Sequence, residues 1–198
     1  GYKEGKLNYY GVWAYGEDEY EEHYTGPLTT YEGIPIVLEA TGDGQIDNAD
    51  VTDFTSTTMN VDSGFMYSMI KFDISDIDSN MLVRAELELY CDSWTLDGLI
   101  SINRINYNWS ESSPPSSYLN VESGYYSEPS DPSKLYTNGD TDTWYVFNVT
   151  NIARHWIWYG EDNNGVLLNH NGGGVQVQFA TKESGANGPK LVIYGWEE

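Results

Sequence analysis

The chain has 198 residues, in which nine Lys and Arg face 31 Asp and Glu for a formal net charge of −22. That length suits one domain with its own core. The charge argues against a grip on nucleic acid, whose phosphates demand a basic footprint, and against docking on anionic lipid. Apolar residues make up 39%, with 17 Tyr and seven Trp, so large side chains are available for a core and the chain is not a disordered acidic tail. No stretch approaches the roughly 20 apolar residues of a membrane helix, so no membrane insertion is expected. The single cysteine, Cys91, excludes an intramolecular disulfide framework and a multi-cysteine metal site. Without an initiator Met or a signal peptide, Gly1 to Glu198 reads as a fragment of a longer protein with neighbouring domains. Few Lys, many Tyr, Thr, Ser, Asn and Gly, and the sequons Asn108-Trp-Ser110 and Asn148-Val-Thr150 suggest an extracellular or cell-surface protein.

Along the chain, residues 1–32 set Lys3 and Lys6 against seven carboxylates, with seven Tyr and Trp13. They show no clean period and read as an acidic, aromatic-rich extension ahead of one domain at 33–198. Residues 39–50, Glu39-Ala-Thr-Gly-Asp43-Gly44-Gln-Ile46-Asp47-Asn48-Ala-Asp50, match the second half of a calcium loop, with a turn glycine at Gly44. Glu39, Asp43, Asp47 and Asp50 are therefore candidate ligands for a structural calcium, with local turn chemistry as the alternative. Asp140-Thr-Asp142 is a second acidic loop of the same kind.

Period-2 alternation dominates from Ile70 onward: Ile70, Phe72 and Ile74, then Ala85, Leu87 and Leu89, then Ile100 and Ile102. It resumes at Phe147 and Val149, at Val175, Val177 and Phe179, and at Leu191 and Ile193. Runs of this length between Gly, Pro, Asn, Asp and Ser clusters predict half-buried antiparallel strands, and an all-β sandwich or jelly roll. Residues 110–139 hold four of the seven prolines and read as a long surface loop. One short helix is predicted near 150–159, capped by Thr150 or Asn151 and stopped by Gly160, with Ile152 and Trp156 on one face. Gly172–Gly174 reads as a hairpin turn, since neither a Lys nor a helix follows to make a phosphate cradle.

With 31 carboxylates, the presence of a pair discriminates nothing. There is no Gly-x-Ser-x-Gly elbow, Cys91 reads as a core thiol, and His23, His155 and His170 form no ligand-spaced pair. The aromatic residues carry more signal. If the alternating apolar residues face inward, Tyr90, Trp144, Tyr194, Gln176, Gln178, Lys71 and Arg84 face outward. Flat rings beside amides and cations suit sugars, whose C–H faces stack on rings and whose hydroxyls bond polar groups. The alternative is that a second layer, such as residues 1–32, covers this face. Tyr125, Tyr126, Trp158 and Tyr159 are further candidates in a loop or at the helix end, whereas Trp109 and Trp156 read as core.

The segments Tyr67–Ser75 and Val83–Tyr90, with their Ile70-Lys-Phe-Asp-Ile74 and Ala85-Glu-Leu-Glu-Leu89 runs, resemble the opening of DNRLRE-type domains. In order there follow Ile102-Asn-Arg-Ile105, Trp109-Ser-Glu111 and Trp144-Tyr-Val-Phe-Asn-Val-Thr150. Trp156, Gly160, Asn163 and Gly165–Leu168 come next, and then Phe179, Glu183, Pro189 and Leu191. Asn148 stands where that pattern usually has Asp, and Ala180 and Thr181 where Ser is common. The resemblance runs from about Leu38 to Tyr194. It implies a jelly roll of carbohydrate-binding module family 96, similar to disaggregatase-related surface domains of methane-producing archaea. Such modules are non-catalytic and accompany polysaccharide-active or cell-surface proteins, with acidic polysaccharides among their ligands.

These readings converge on a non-catalytic carbohydrate-binding module for a uronate-containing polysaccharide, aided by structural calcium. A structural or adhesive surface domain and a glycan lyase or hydrolase stand as alternatives.

Overall fold

The computed structural model describes residues 8–10, 28–30, 35–62, 66–79, 82, 84–96, 98–125, 134–136, 140–170 and 176–195. Their strands are β1 (Asn8–Tyr10), β2 (Leu28–Thr30), β3 (Ile36–Asp47), β4 (Thr52–Asp53), β5 (Thr58–Asp62), β6 (Met66–Phe72) and β7 (Arg84–Leu96). β8 (Gly98–Arg104), β9 (Lys134–Tyr136), β10 (Thr143–Asn148), β11 (Val166–His170), β12 (Gln176–Ala180) and β13 (Lys190–Tyr194) follow. Two helices, α1 (Tyr118–Ser123) and α2 (Thr150–Ile157), and a 3-10 turn at Lys182–Asn187 complete the elements. The chain is thus mostly β, as its alternation predicts.

β1 and β2 pair with each other. The other strands form one antiparallel sheet in the order β4-β3-β13-β7-β12-β5-β6-β11-β8-β9, with β10 on β7. A further β3–β6 pairing closes β3, β13, β7, β12, β5 and β6 into a six-membered ring. The closure comes from a strand that changes partner: Ile36–Glu39 pair with β13, and after a register shift between Ala40 and Gly42 the rest of β3 pairs with β6. β7 is shared as well. β10 lies along one edge, while β13 and β12 lie end to end along the other, with the 3-10 turn looping out between them.

Inside the ring, Ala85, Leu87, Leu89 and Cys91 of β7 meet Phe147 of β10, Phe179 of β12, Leu191 and Ile193 of β13, and Ile70 and Phe72 of β6. Trp156 and Ile152 of α2 join the same core. A second cluster lies on the other side of β6 and β11, where Tyr67, Met69 and Leu167 are buried under Ile105, Trp109 and Val121. β6 is therefore buried on both faces. Residues 105–125, part of which reads from sequence as surface loop, form this cover and include α1, a helix that the sequence pattern does not predict. Most of 126–139 lies outside the described residues.

The cap of α2 also differs from expectation. Neither Thr150 nor Asn151 caps it; Asn148 Oδ1 accepts from Thr150 N (3.0 Å) and Thr150 Oγ1 (2.7 Å). Thr150 Oγ1 in turn accepts from Ala85 N (3.0 Å), tying the helix start to β7. Gly160 ends the helical segment in the left-handed region, with φ at 67°. The glycine run 172–174, expected as a hairpin turn, lies outside the described residues, but the strands flanking it do not pair with each other. β11 pairs with β6 and β8, and β12 with β5 and β7.

Two outcomes follow from this packing. Asn148→Ala should cost about 1 kcal/mol in chemical denaturation, whereas Asn148→Asp, an acceptor of the same shape at a helix N-terminus, should retain wild-type stability. Cys91 is fully buried, and burial, with the nearby Asp92 and Asp142 charges, pushes its thiol up to about 11. The native protein should therefore leave a thiol reagent unreacted at neutral pH and consume one equivalent only once denatured.

Candidate functional site

The parity that sends Ala85, Leu87 and Leu89 inward sends Arg84, Glu86, Glu88 and Tyr90 to the outer face of β7. Cross-strand register then builds a four-strand surface. Trp144 lies opposite Tyr90, and Val146 opposite Glu88 on β10. Lys190 lies opposite Glu88, and Tyr194 opposite Arg84 on β13, and beyond them β3 offers Glu39 opposite Lys190. The Tyr90 and Trp144 rings meet edge to face with centroids 5.4 Å apart. Lys190 Nζ sits 4.3 Å from the centre of the Trp144 ring, and the Arg84 guanidinium 4.2 Å from that of Tyr194. Tyr194 Oη donates to Glu86 Oε2 (2.9 Å), and Arg84 also pairs with Glu86 (3.5 Å). Burial, with the Asp142 and Asp92 charges, raises the Tyr90 hydroxyl above its ordinary range, so it stays protonated at neutral pH.

Gln176 and Gln178 share the outer face, further along β7, where they form a polar ladder. Gln178 Nε2 donates to Asn60 Oδ1 (2.8 Å), its Oε1 accepts from Ser93 Oγ (3.2 Å), and Asn60 Nδ2 continues to Gln45 Oε1 (2.8 Å). Gln176 accepts from Thr95 Oγ1 (2.6 Å) and donates to Asp62 (3.2 Å). These amides spend their bonding capacity across strands β3, β5, β12 and β7.

The remaining candidates lie elsewhere. Lys71, on β6, bonds Asn108 Oδ1 (3.2 Å) and lines a groove of about 420 Å³ with Thr41, Asp73, Ser75 and Asn163. Tyr125 packs against the second apolar cluster, and Tyr126 lies outside the described residues. Trp158 and Tyr159 are exposed at the end of α2. Trp158 Nε1 donates to Ser79 O (2.8 Å), Arg154 covers its ring at 4.8 Å, and Tyr159 meets His155 edge on. The sequence offers Lys190 only as one of six cations, with Lys71, Arg84, Arg104, Arg154 and Lys182, that could form a basic patch. It does not set Lys190 beside Trp144, although its place one residue before Leu191 in an alternating run puts it on the outer face.

The four acidic residues of 39–50 separate in the fold. Glu39 is exposed on β3. Asp47 closes the β3–β4 turn, its Oδ1 accepting from Ala49 N and Val51 N (both 2.9 Å), and Asp50, with φ at 63°, accepts from Tyr118 N (2.6 Å). Asp43 instead is fully buried and meets Glu111 and Glu183, residues far along the chain. Its Oδ2 accepts from Lys182 N (2.7 Å), and its own N–H donates to Glu111 Oε1 (3.1 Å). Lys182 Nζ lies 3.0 Å from Glu111 Oε1 and also pairs with Glu183. Burial pushes the Asp43 carboxyl up to about 7; Glu183 and Glu111 add to the rise, and the Lys182 N–H and ammonium oppose it. Nothing in residues 39–50 names these partners. Glu111 and Glu183 do, however, fall in two of the segments that carry the family resemblance.

The chain belongs to carbohydrate-binding module family 96, whose family profile matches residues 38–195. No curated protein matches the chain.

Proposed function

We propose that the protein is a non-catalytic carbohydrate-binding module of an extracellular or cell-surface protein, and that the outer face of β10, β7 and β13 receives an acidic, uronate-containing polysaccharide. The arrangement that carries this reading is Tyr90 and Trp144 in edge contact with the Lys190 ammonium over the indole. A pyranose laid on such rings buries its C–H face, while a uronate carboxylate pairs with Lys190 or, one strand-length away, with Arg84. Family membership supports a carbohydrate ligand. We read the six-strand ring, a barrel-like antiparallel sheet around one apolar core, as a jelly roll. Residues 1–32 then form the acidic extension to a domain at 33–198, in a larger prokaryotic surface protein of the kind that archaeal disaggregatase-related domains exemplify.

The net charge of −22 repels a polyuronate at long range. Salt screens that repulsion beyond about 8 Å at physiological ionic strength, so local cations decide the contact. A lyase or hydrolase would need a poised base. Tyr90 is held in its protonated form, and the converging carboxylates Asp43, Glu111 and Glu183 are tied to Lys182, which favours binding over catalysis.

Affinity electrophoresis in gels containing alginate or a neutral glucan tests this assignment. Wild-type protein should be retarded by the uronate polymer, Trp144→Ala should weaken the interaction about tenfold or more, and Lys190→Ala should weaken it most at low salt. A folded protein retarded by no polysaccharide would instead identify a structural or adhesive surface domain.

A further inference from the structure

We propose that Asp43, Glu111 and Glu183 form a binding site for a calcium-class divalent cation, which staples β3, the 105–125 cover and the 3-10 turn to one another. The proposal does not rest on sugar binding.

The three carboxylates come from segments remote in sequence, yet each offers an oxygen, and these oxygens all lie within 4.8 Å of one another. An acidic cluster alone could be a solvated patch, but Asp43 is fully buried, and its Oδ1 has no hydrogen-bond partner among the described residues, while Oδ2 takes the Lys182 N–H. A carboxylate oxygen removed from water needs a proton donor or a cation. The Lys182 ammonium, bonded to Glu111 and Glu183, supplies one positive charge against three carboxylates. Its side chain keeps 28% of its surface in solvent, so the flexible stem can withdraw when a metal enters. An all-carboxylate donor set with neither imidazole nor thiolate selects a hard cation, and calcium tolerates an irregular geometry where magnesium demands a near-ideal octahedron. The location gives the site its structural consequence. The 3-10 turn loops out between β12 and β13 beside the point where β3 leaves β13 for β6, and a cation there holds the two paths together.

Calorimetric titration of the chelator-treated full chain with calcium chloride, without any polysaccharide, tests this. Wild type should take up one calcium per chain and unfold at a higher temperature when loaded. Glu183→Gln and Asp43→Asn should each weaken uptake by at least about tenfold, and Lys182→Met, which removes the competing ammonium, should tighten it. Should Asp43→Asn fail to fold, Glu183→Gln and Lys182→Met still decide the matter, because both change groups at the solvent side of the cluster. The proposal is overturned if folded wild type shows no saturable calcium uptake. It is equally overturned if Glu183→Gln, shown to be folded by circular dichroism, binds as wild type does, or if Lys182→Met binds more weakly.

Discussion

The alternation along β7 is the constraint on which the rest of the molecule depends. Ala85, Leu87, Leu89 and Cys91 are each at most 1% exposed, so slipping this strand by one residue would place Glu86, Glu88 and Tyr90 in the core. Because β7 pairs on both edges, its register sets those of β10, β13 and β12. The same alternation that excludes water from the core lines up Trp144 with Tyr90 and Lys190 with Glu88 on the opposite face. Core packing and the candidate ligand surface are two readings of one strand, and a fault in the first displaces the second.

The distribution of charge follows a similar economy. An overall charge of −22 keeps the surface strongly hydrated and discourages non-specific association. The cations that remain are placed with care: Lys190 and Arg84 each lie over a ring, and Lys182 lies among carboxylates. A ring held beneath a cation is partly shielded from its acidic surroundings.

Much of the framework was legible in the sequence because a half-buried strand writes its two faces as alternating residues. Tyr90, Trp144, Tyr194 and Arg84 were placed on an outer face by parity alone, and the structure has them there. Alternation fails where both faces are buried. Met69 and Tyr67 sit on what parity labels the outside of β6, and only the chain at 105–125, forty residues on, shows why they are apolar. Parity is also silent on how a side chain uses its polar atoms, so Gln176 and Gln178 were found on the predicted face but engaged in a cross-strand ladder. The meeting of Asp43 with Glu111 and Glu183 lay beyond any local reading, since it arises from β3 changing partner and from a loop between two collinear strands. Residues 39–50 advertise turn-closing carboxylates, and the Asp47 carboxylate closes a turn, whereas that of Asp50 reaches Tyr118 N far along the chain. Asp43 differs because it falls within the strand, where its side chain has no local backbone to bond.

The central claim is that ligand lies against the Trp144 and Tyr90 rings. The most direct test is to follow the seven indole N–H resonances by ¹⁵N–¹H correlation spectroscopy while titrating a uronate oligosaccharide. The account predicts a saturable shift of the Trp144 resonance, with the buried Trp109 and Trp156 unmoved. A saturable shift confined to Trp158, or binding that moves no indole at all, would contradict it.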